Sequence, residues 1–190
     1  MIRISNDGGS IARILGIDPG TAHFGISCVS VDIRSLEIIQ TDAITLRGDK
    51  CPLDQWKGEM YGDRYPRMVG ISRMFMRALT QLQPNCVVME SGFFHSLHPG
   101  AFLPLTEVRV MVQDTLHEFD PWLELHTIDP SSIKNAVGAH GAAKKNPVKD
   151  SVAKISELNL KRGIDHYDEH SIDAIAVAYT HLCRMRLSRI

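Results

Sequence analysis

The chain has 190 residues, of which 44% are hydrophobic and 23% charged, and its formal net charge is −1. This length and composition are typical of a globular domain with its own core, and they argue against a disordered chain. No apolar run approaches the roughly 20 residues of a spanning helix, and the first residues lack a signal-peptide core. We therefore expect a cytoplasmic protein without a membrane partner, with one domain over residues 1–190 and a loose lead-in at 1–10.

Apolar runs rich in branched residues open the chain. They predict three buried strands in an antiparallel meander, at 11–17, 24–31 and 36–46. Asp18 follows the first run, so that strand would hold its carboxylate at the rim of a sheet. Pro19 and Gly20 fit the centre of a tight turn, because proline presets φ and glycine tolerates positive φ. Asp18 is a candidate catalytic residue, although an ordinary turn-starting aspartate explains it as well when it is considered alone.

The rest of the chain alternates helices with short strands. The polar, glycine-containing segment 47–65 predicts a loop. Apolar residues at three- and four-residue steps, together with the breaking prolines, predict helices at 66–82, 105–119, 130–137, 147–160 and 169–187. Short apolar runs predict strands at 86–89 and 123–128. Glu90 directly follows the first of these two strands.

Three antiparallel strands followed by strands and helices in alternation is a mixed α/β order. The crossovers would continue the sheet in parallel, which predicts a mixed five-stranded sheet flanked by helices. This order resembles that of the ribonuclease H-like three-layer fold, in which the first and fourth strands are neighbours. Asp18 and Glu90, which end those two strands, are therefore expected side by side.

A third polar group lies at the start of the last predicted helix. His170 and Asp173 are three residues apart, so a helix places them on one face, which His181 continues. The opposite face is apolar, and we expect it to pack on the sheet with Ile172, Ile175, Ala176, Tyr179 and Leu182.

The two strand-end carboxylates and this helical pair are predicted to converge. Converging carboxylates repel one another unless a cation lies between them, so the cluster predicts Mg²⁺ or Mn²⁺ with oxygen ligands. Two such ions about 4 Å apart activate a water and stabilise the leaving oxygen in phosphodiester hydrolysis. Each acid alone has an ordinary alternative, such as helix capping for Asp173. The order of the three elements favours a nuclease.

Two further features of composition are less specific. The four cysteines show no C-x-x-C spacing, which predicts reduced buried thiols, without a zinc site or a disulfide framework. Residues 134–162 contain seven basic and two acidic side chains, a local charge of 7 − 2 = +5. This stretch is equally consistent with phosphate binding and with a solvated helix face.

Four groups of residues occur in a characteristic order. They are Ile17-Asp18-Pro19-Gly20-Thr21 with Gly25, Glu90 followed by Phe93, Lys134 followed by Gly141, Ala143 and Lys145, and His170-Ser171-Ile172-Asp173-Ala174. Together they resemble the RuvC family of Holliday junction resolvases over about residues 14–181, and the combination is far more specific than any one motif. The long lead-in and the segment 47–65 resemble those of some virus-borne or divergent members.

The resemblance implies a homodimeric, Mg²⁺-dependent endonuclease that makes paired nicks in four-way DNA junctions. Its metal-binding catalytic set would be Asp18, Glu90, His170 and Asp173, with two ions per site that Mn²⁺ could replace. Phe93 would wedge into bases at the crossover, and the DNA phosphates would be contacted by Lys134, Lys144 and Lys145. The helix from Leu105 would lie at the dimer interface.

Three other functions are compatible with parts of the pattern. A nuclease of the same fold could act on forks, flaps or RNA–DNA hybrids. Actin-like ATPases and sugar kinases share the Gly-Ile-Asp-x-Gly-Thr motif, but they need a duplicated domain for which 190 residues leave no room. A non-catalytic junction-binding protein would not need the intact acids Asp18, Glu90 and Asp173.

Overall fold

The computed structural model describes residues 10–50, 59–92, 102–139 and 147–189, and within these ranges it contains one mixed sheet. The strands are β1 (Ile11–Asp18), β2 (His23–Asp32), β3 (Ile38–Arg47), β4 (Cys86–Glu90) and β5 (Leu125–Ile128). Their order in the sheet is β3-β2-β1-β4-β5. The pairs β1–β2 and β2–β3 are antiparallel, and β1–β4 and β4–β5 are parallel. The predicted five-stranded mixed sheet is confirmed.

The helices that frame the sheet are α1 (Arg64–Leu82), α2 (Phe102–Phe119), α3 (Pro130–Val137), α4 (Pro147–Val152) and α5 (Glu169–Leu187). Side chains of β1 alternate between two apolar cores. Leu15 packs with residues of α1 and α2, whereas Ile14 packs with residues of α3, α4 and α5. The centre of the sheet is thus buried on both faces, which explains the continuous apolar run at 14–17 in β1 and confirms the three-layer arrangement.

The predicted loop 47–65 contains a 3₁₀ turn at Gly48–Lys50 and the first residues of α1, and residues 51–58 lie outside the described ranges. None of the helices in the described ranges combines the length and the apolar character that a bilayer crossing requires.

The predicted helix at 147–160 is wrong beyond Val152, where α4 ends. Asn159 adopts a left-handed conformation with φ of 46°, and its side-chain amide donates to the carbonyl of Ile38. The backbone of Thr41 in β3 donates to the carbonyl of Asn159 and accepts from the amide of Lys161. Because β3 is an edge strand, its outer backbone groups need partners, and this segment supplies them in place of a helix.

The contact between α5 and the sheet also involves small residues that the prediction did not name. A Cβ atom built on Gly16 of β1 would lie 2.2 Å from the carbonyl oxygen of Ala174 and 2.8 Å from the Cβ of Ala178. The Ser27 hydroxyl of β2 donates to the same Ala174 oxygen at 2.7 Å. The small residues Gly16, Ala174 and Ala178 therefore allow α5 to pack closely on the sheet, through the side of the helix that also carries His170. The predicted apolar residues Ile172, Ile175, Ala176 and Leu182 are buried in one core with side chains of β1, β2, α3 and α4.

Candidate active site

Two carboxylates lie next to each other at the end of two parallel strands. Asp18 ends β1 and Glu90 ends β4, and the register pairs Ile17 with Met89. Side chains alternate along a strand, so Asp18 lies on the same face as Ile14, which belongs to the core beneath α5. Glu90 lies on this face for the same reason. Both acids are thus presented to the N-terminal end of α5.

The start of α5 is fixed by an N-cap that is tied to the sheet. The side chain of Asp168 accepts from the backbone amide of Ser171 at 2.9 Å and from the hydroxyl of Thr45 in β3 at 2.5 Å. Close approach to β2 fixes the position of His170, the second residue of α5, because a Cβ on Gly25 would lie 2.1 Å from its carbonyl oxygen. A glycine at position 25 is therefore required for the helix to begin so near the sheet.

His170 is brought into direct contact with Asp18. Its Nδ1 lies 2.8 Å from Oδ2 of Asp18, whose side chain is only 16% exposed. Because a carboxylate only accepts hydrogen bonds, an ionised Asp18 requires the hydrogen of the imidazole to be on Nδ1. The lone pair of Nε2 is then the one available for a metal or a proton. Asp173 follows one turn later on α5, close enough to raise the pKa of Glu90 and to have its own pKa raised by Asp18.

The electrostatics of the cluster are those of crowded, desolvated acids. Burial raises the pKa of Glu90 to about 7, and the neighbouring Asp18 and Asp173 add to the increase. Burial also raises the pKa of Asp173 to about 7, and repulsion from Asp18 adds to the increase. The pKa of Asp18 is raised by burial as well, although its bond to His170 opposes the shift. Without a cation, Glu90 and Asp173 are therefore held partly protonated near neutral pH.

Lys134 is the basic side chain that the fold brings to this cluster. It lies on α3, and its charge lowers the pKa of Glu90 and of Asp173 against the dominant effect of burial. It also lines a pocket with Lys149, Asp168 and Asp173, between α3, α4 and the start of α5. Of the other predicted DNA contacts, Phe93, Lys144 and Lys145 lie outside the described residues.

The loop after Asp18 leads to His23, the first residue of β2, which was not among the predicted site residues. The ring of His23 stacks on His170 with a centroid distance of 5.0 Å and an interplanar angle of 5°. Gly20 serves this loop through close approach, since a Cβ there would lie 2.1 Å from the carbonyl oxygen of His23. Its φ is not positive, so the conformational reason predicted for this glycine is wrong. The sequence signal that could have identified His23 is a histidine five residues after the candidate catalytic Asp18, at the start of the next strand.

Lys149 was also missed as an individual site residue, although it belongs to the predicted basic stretch. It is the third residue of α4, lines the pocket beside Asp173, and pairs with Asp165 at 3.1 Å. Lysines are common in the first turn of a helix that begins with proline. The position of Lys149 in the sequence therefore gave no specific indication of a site.

Comparison with known proteins agrees with this geometry. The family described as crossover junction endodeoxyribonuclease RuvC matches residues 14–181. A crossover junction endodeoxyribonuclease RuvC from Synechococcus sp. (strain CC9311) is 31% identical over 174 residues, which cover 88% of this chain and 96% of the relative.

Two solved structures share the fold. The Thermus thermophilus RuvC structure in complex with a Holliday junction substrate has a TM-score of 0.64 and 21% identity, with 92% of this chain and 96% of that chain covered. The yeast mitochondrial Holliday junction resolvase has a TM-score of 0.65 and 14% identity, with 94% and 81% covered. Since the family match spans most of the chain, this protein belongs to the crossover junction endodeoxyribonuclease RuvC family.

Proposed function

We propose that the protein is an endonuclease that resolves four-way DNA junctions by metal-dependent hydrolysis of paired phosphodiester bonds. The observation that supports this most directly is the meeting of Asp18, Glu90, His170 and Asp173 at one end of the sheet. Three separate elements, β1, β4 and α5, supply these side chains. Family membership supports the substrate, because the curated relatives are named for the crossover junction.

The chemistry of the donor set fits a hard divalent cation. Nucleases of this family are divalent-metal-dependent, and three carboxyl groups with one imidazole are the ligands that Mg²⁺ and Mn²⁺ accept. The raised pKa values of Glu90 and Asp173 are a second argument, because burial and mutual repulsion are relieved when a cation binds. We infer that these four residues hold Mg²⁺, with two ions per site and with Mn²⁺ as a substitute.

The protein residues have separable tasks in this proposal. When bound, the ions would supply an activated water and a charge that stabilises the leaving oxygen. Asp18 orients His170 through the 2.8 Å contact to Nδ1, which leaves Nε2 free. Lys134 adds a positive charge beside Glu90 and Asp173, where the phosphate of the scissile strand would lie. Lys144, Lys145 and Phe93 remain predicted contacts to the flanking phosphates and bases.

Paired cleavage requires two active sites, and the described residues of one chain contain one such cluster. We propose that a homodimer supplies the second. The layer formed by α1 and α2 supports this, because it exposes Tyr65, Leu103 and Val110, which are 48%, 59% and 51% accessible. Apolar exposure of this kind on adjacent helices is typical of an interaction surface.

The decisive experiment is cleavage of a synthetic mobile four-way junction in Mg²⁺. Linear duplex, a replication fork, a flap and an RNA–DNA hybrid are the comparison substrates. We expect symmetric nicks in two opposed strands near the crossover, and we expect Asp18→Asn to bind the junction without cutting it. The isosteric change removes a ligand charge and leaves the fold intact.

Other outcomes would overturn parts of the proposal. Faster cleavage of the fork, flap or hybrid than of the junction would keep the metal site and change the substrate. Tight junction binding without cleavage in either Mg²⁺ or Mn²⁺ would refute the catalytic assignment. Full activity of Asp18→Asn would refute the proposed ligand set.

A further inference from the structure

A second group of potential metal ligands lies away from the carboxylate cluster. It consists of Cys86, His126 and His181, whose ligand atoms all lie within 4.8 Å of one another. The Sγ atom of Cys86 is 3.2 Å from Nε2 of His181, and the two imidazole rings stack with a centroid distance of 5.0 Å. Among the described residues, this is the one group of three or more histidine, cysteine or acidic side chains that meets this distance limit.

The fold explains why these three side chains meet. Cys86 begins β4, and Cys86 and Val88 face the same core beneath α5. His126 of β5 is the register partner of Val88, so it lies on that face as well. His181 lies on α5, which covers this face. Two neighbouring strands and the helix above them therefore converge on one point.

This group is separate from the catalytic cluster. Cys86 and Glu90 are the first and last residues of β4, a separation of about 13 Å along a strand. Asp173 and His181 are eight residues apart on α5, a separation of about 12 Å along a helix. The two groups thus lie at opposite ends of the same strand and helix.

A simple thiol–imidazole hydrogen bond accounts for only part of this arrangement. It explains the contact between Cys86 and His181, but it gives His126 no role. Burial raises the pKa of Cys86 to about 12 and lowers that of His181 to about 4, and it lowers the pKa of His126 too. Both imidazoles are therefore neutral near pH 7, which is the form that binds a metal.

We propose that Cys86, His126 and His181 form a binding site for a borderline-soft divalent ion, with Zn²⁺ as the preferred occupant. A Cys-His-His set is typical of zinc and unlike the oxygen sets of magnesium. In a tetrahedral zinc site, neighbouring S and N ligand atoms are about 3.5 Å apart, so the observed 3.2 Å contact needs little adjustment. Both histidines are half-buried, which leaves the fourth position to water.

The binding step has a simple proton balance. The S–H bond of Cys86 breaks, its proton passes to solvent, and the thiolate and the two imidazole nitrogens donate lone pairs to the ion. No electrons are gained or lost. The ion would join β4, β5 and the C-terminal half of α5, and it would thereby fix the helix whose first turns carry His170 and Asp173.

Spectroscopic titration of the reduced full-length protein with Co²⁺ tests the proposal. Saturating Mg²⁺ is present throughout to occupy the carboxylates. We expect one equivalent of Co²⁺ to produce the near-ultraviolet charge-transfer absorption of a cobalt–thiolate bond, and we expect Zn²⁺ to abolish it. Cys86→Ser should remove the absorption completely. Cys183→Ser is the matched control, because this half-buried thiol also lies on α5.

His126→Gln provides an independent variant in case Cys86→Ser fails to fold, which circular dichroism would reveal. It should weaken Co²⁺ binding about ten-fold or more while junction cleavage in Mg²⁺ persists. Absence of the charge-transfer absorption at millimolar Co²⁺ would refute the site. Its persistence in Cys86→Ser, or its loss in Cys183→Ser, would assign the metal to another thiol and would refute it equally.

Discussion

Replacing Glu90 by glutamine should stabilise the metal-free protein at alkaline pH while it abolishes catalysis. In the folded state Glu90 has a pKa of about 7, against an ordinary value of 4.5. Between those two pH values the folded protein holds a proton that the unfolded chain has lost, so its stability falls as pH rises through this window. Glutamine carries no charge at any pH and escapes this loss.

The magnitude follows from the shift. A change in pKa from 4.5 to about 7 corresponds to about 3.5 kcal/mol at about 1.4 kcal/mol per pH unit. Part of this shift arises from repulsion by Asp18 and Asp173, whose own pKa values fall when Glu90 is neutral. We therefore expect a gain on the order of 2–3 kcal/mol at pH 8, or roughly 5–10 °C in Tm. At pH 4 the wild type and Glu90→Gln should differ little, because both side chains are then neutral.

The assay is urea and thermal unfolding in a metal chelator from pH 4 to 8, with Glu118→Gln as the matched control. Glu118 is exposed on α2, remote from the cluster, and its replacement should leave the pH profile unchanged. Saturating Mg²⁺ at pH 8 should stabilise the wild type by binding the folded state, and it should stabilise Glu90→Gln much less. A variant less stable than the wild type at pH 8 in chelator would refute the reasoning.

Three further predictions concern the elements around the cluster. Gly25→Ala should lower the free energy of unfolding in urea by about 1–3 kcal/mol and reduce the cleavage rate about 100-fold, because the added Cβ would displace the His170 backbone. The control Gly163→Ala should be tolerated, because its Cβ would meet only ordinary contacts. His23→Ala should lower kcat about 2- to 10-fold through loss of stacking on His170, and His23→Phe should restore most of the lost kcat. Equal kcat values for His23→Ala and the wild type would exclude this positioning role. Val110→Glu should shift sedimentation towards a monomer and convert paired nicks into single ones, and an unchanged dimer would place the interface elsewhere.

The sheet and its long helices could be predicted because burial of these elements requires a local pattern of apolar residues in the sequence. The alternation of Ile14 and Leu15 between two cores produces the apolar run at 14–17 in β1, and one-sided burial of α1 produces three- and four-residue spacing. The segment after Val152 has no apolar pattern of this kind. Its path depends on the pairing of Asn159 with β3, more than a hundred residues earlier, which no local pattern encodes.

The same distinction separates the two candidate sites. Asp18 and Glu90 could be predicted as neighbours because each ends a strand and the order of elements places those strands side by side. The second group could not, since its members share no characteristic spacing and meet only through the register of β4 with β5. Helix α5 connects them, with His170 at its start and His181 near its end. Because the helix is buried along its length between these ends, a metal held at His181 would resist the displacement of α5 and so preserve the position of His170 beside Asp18.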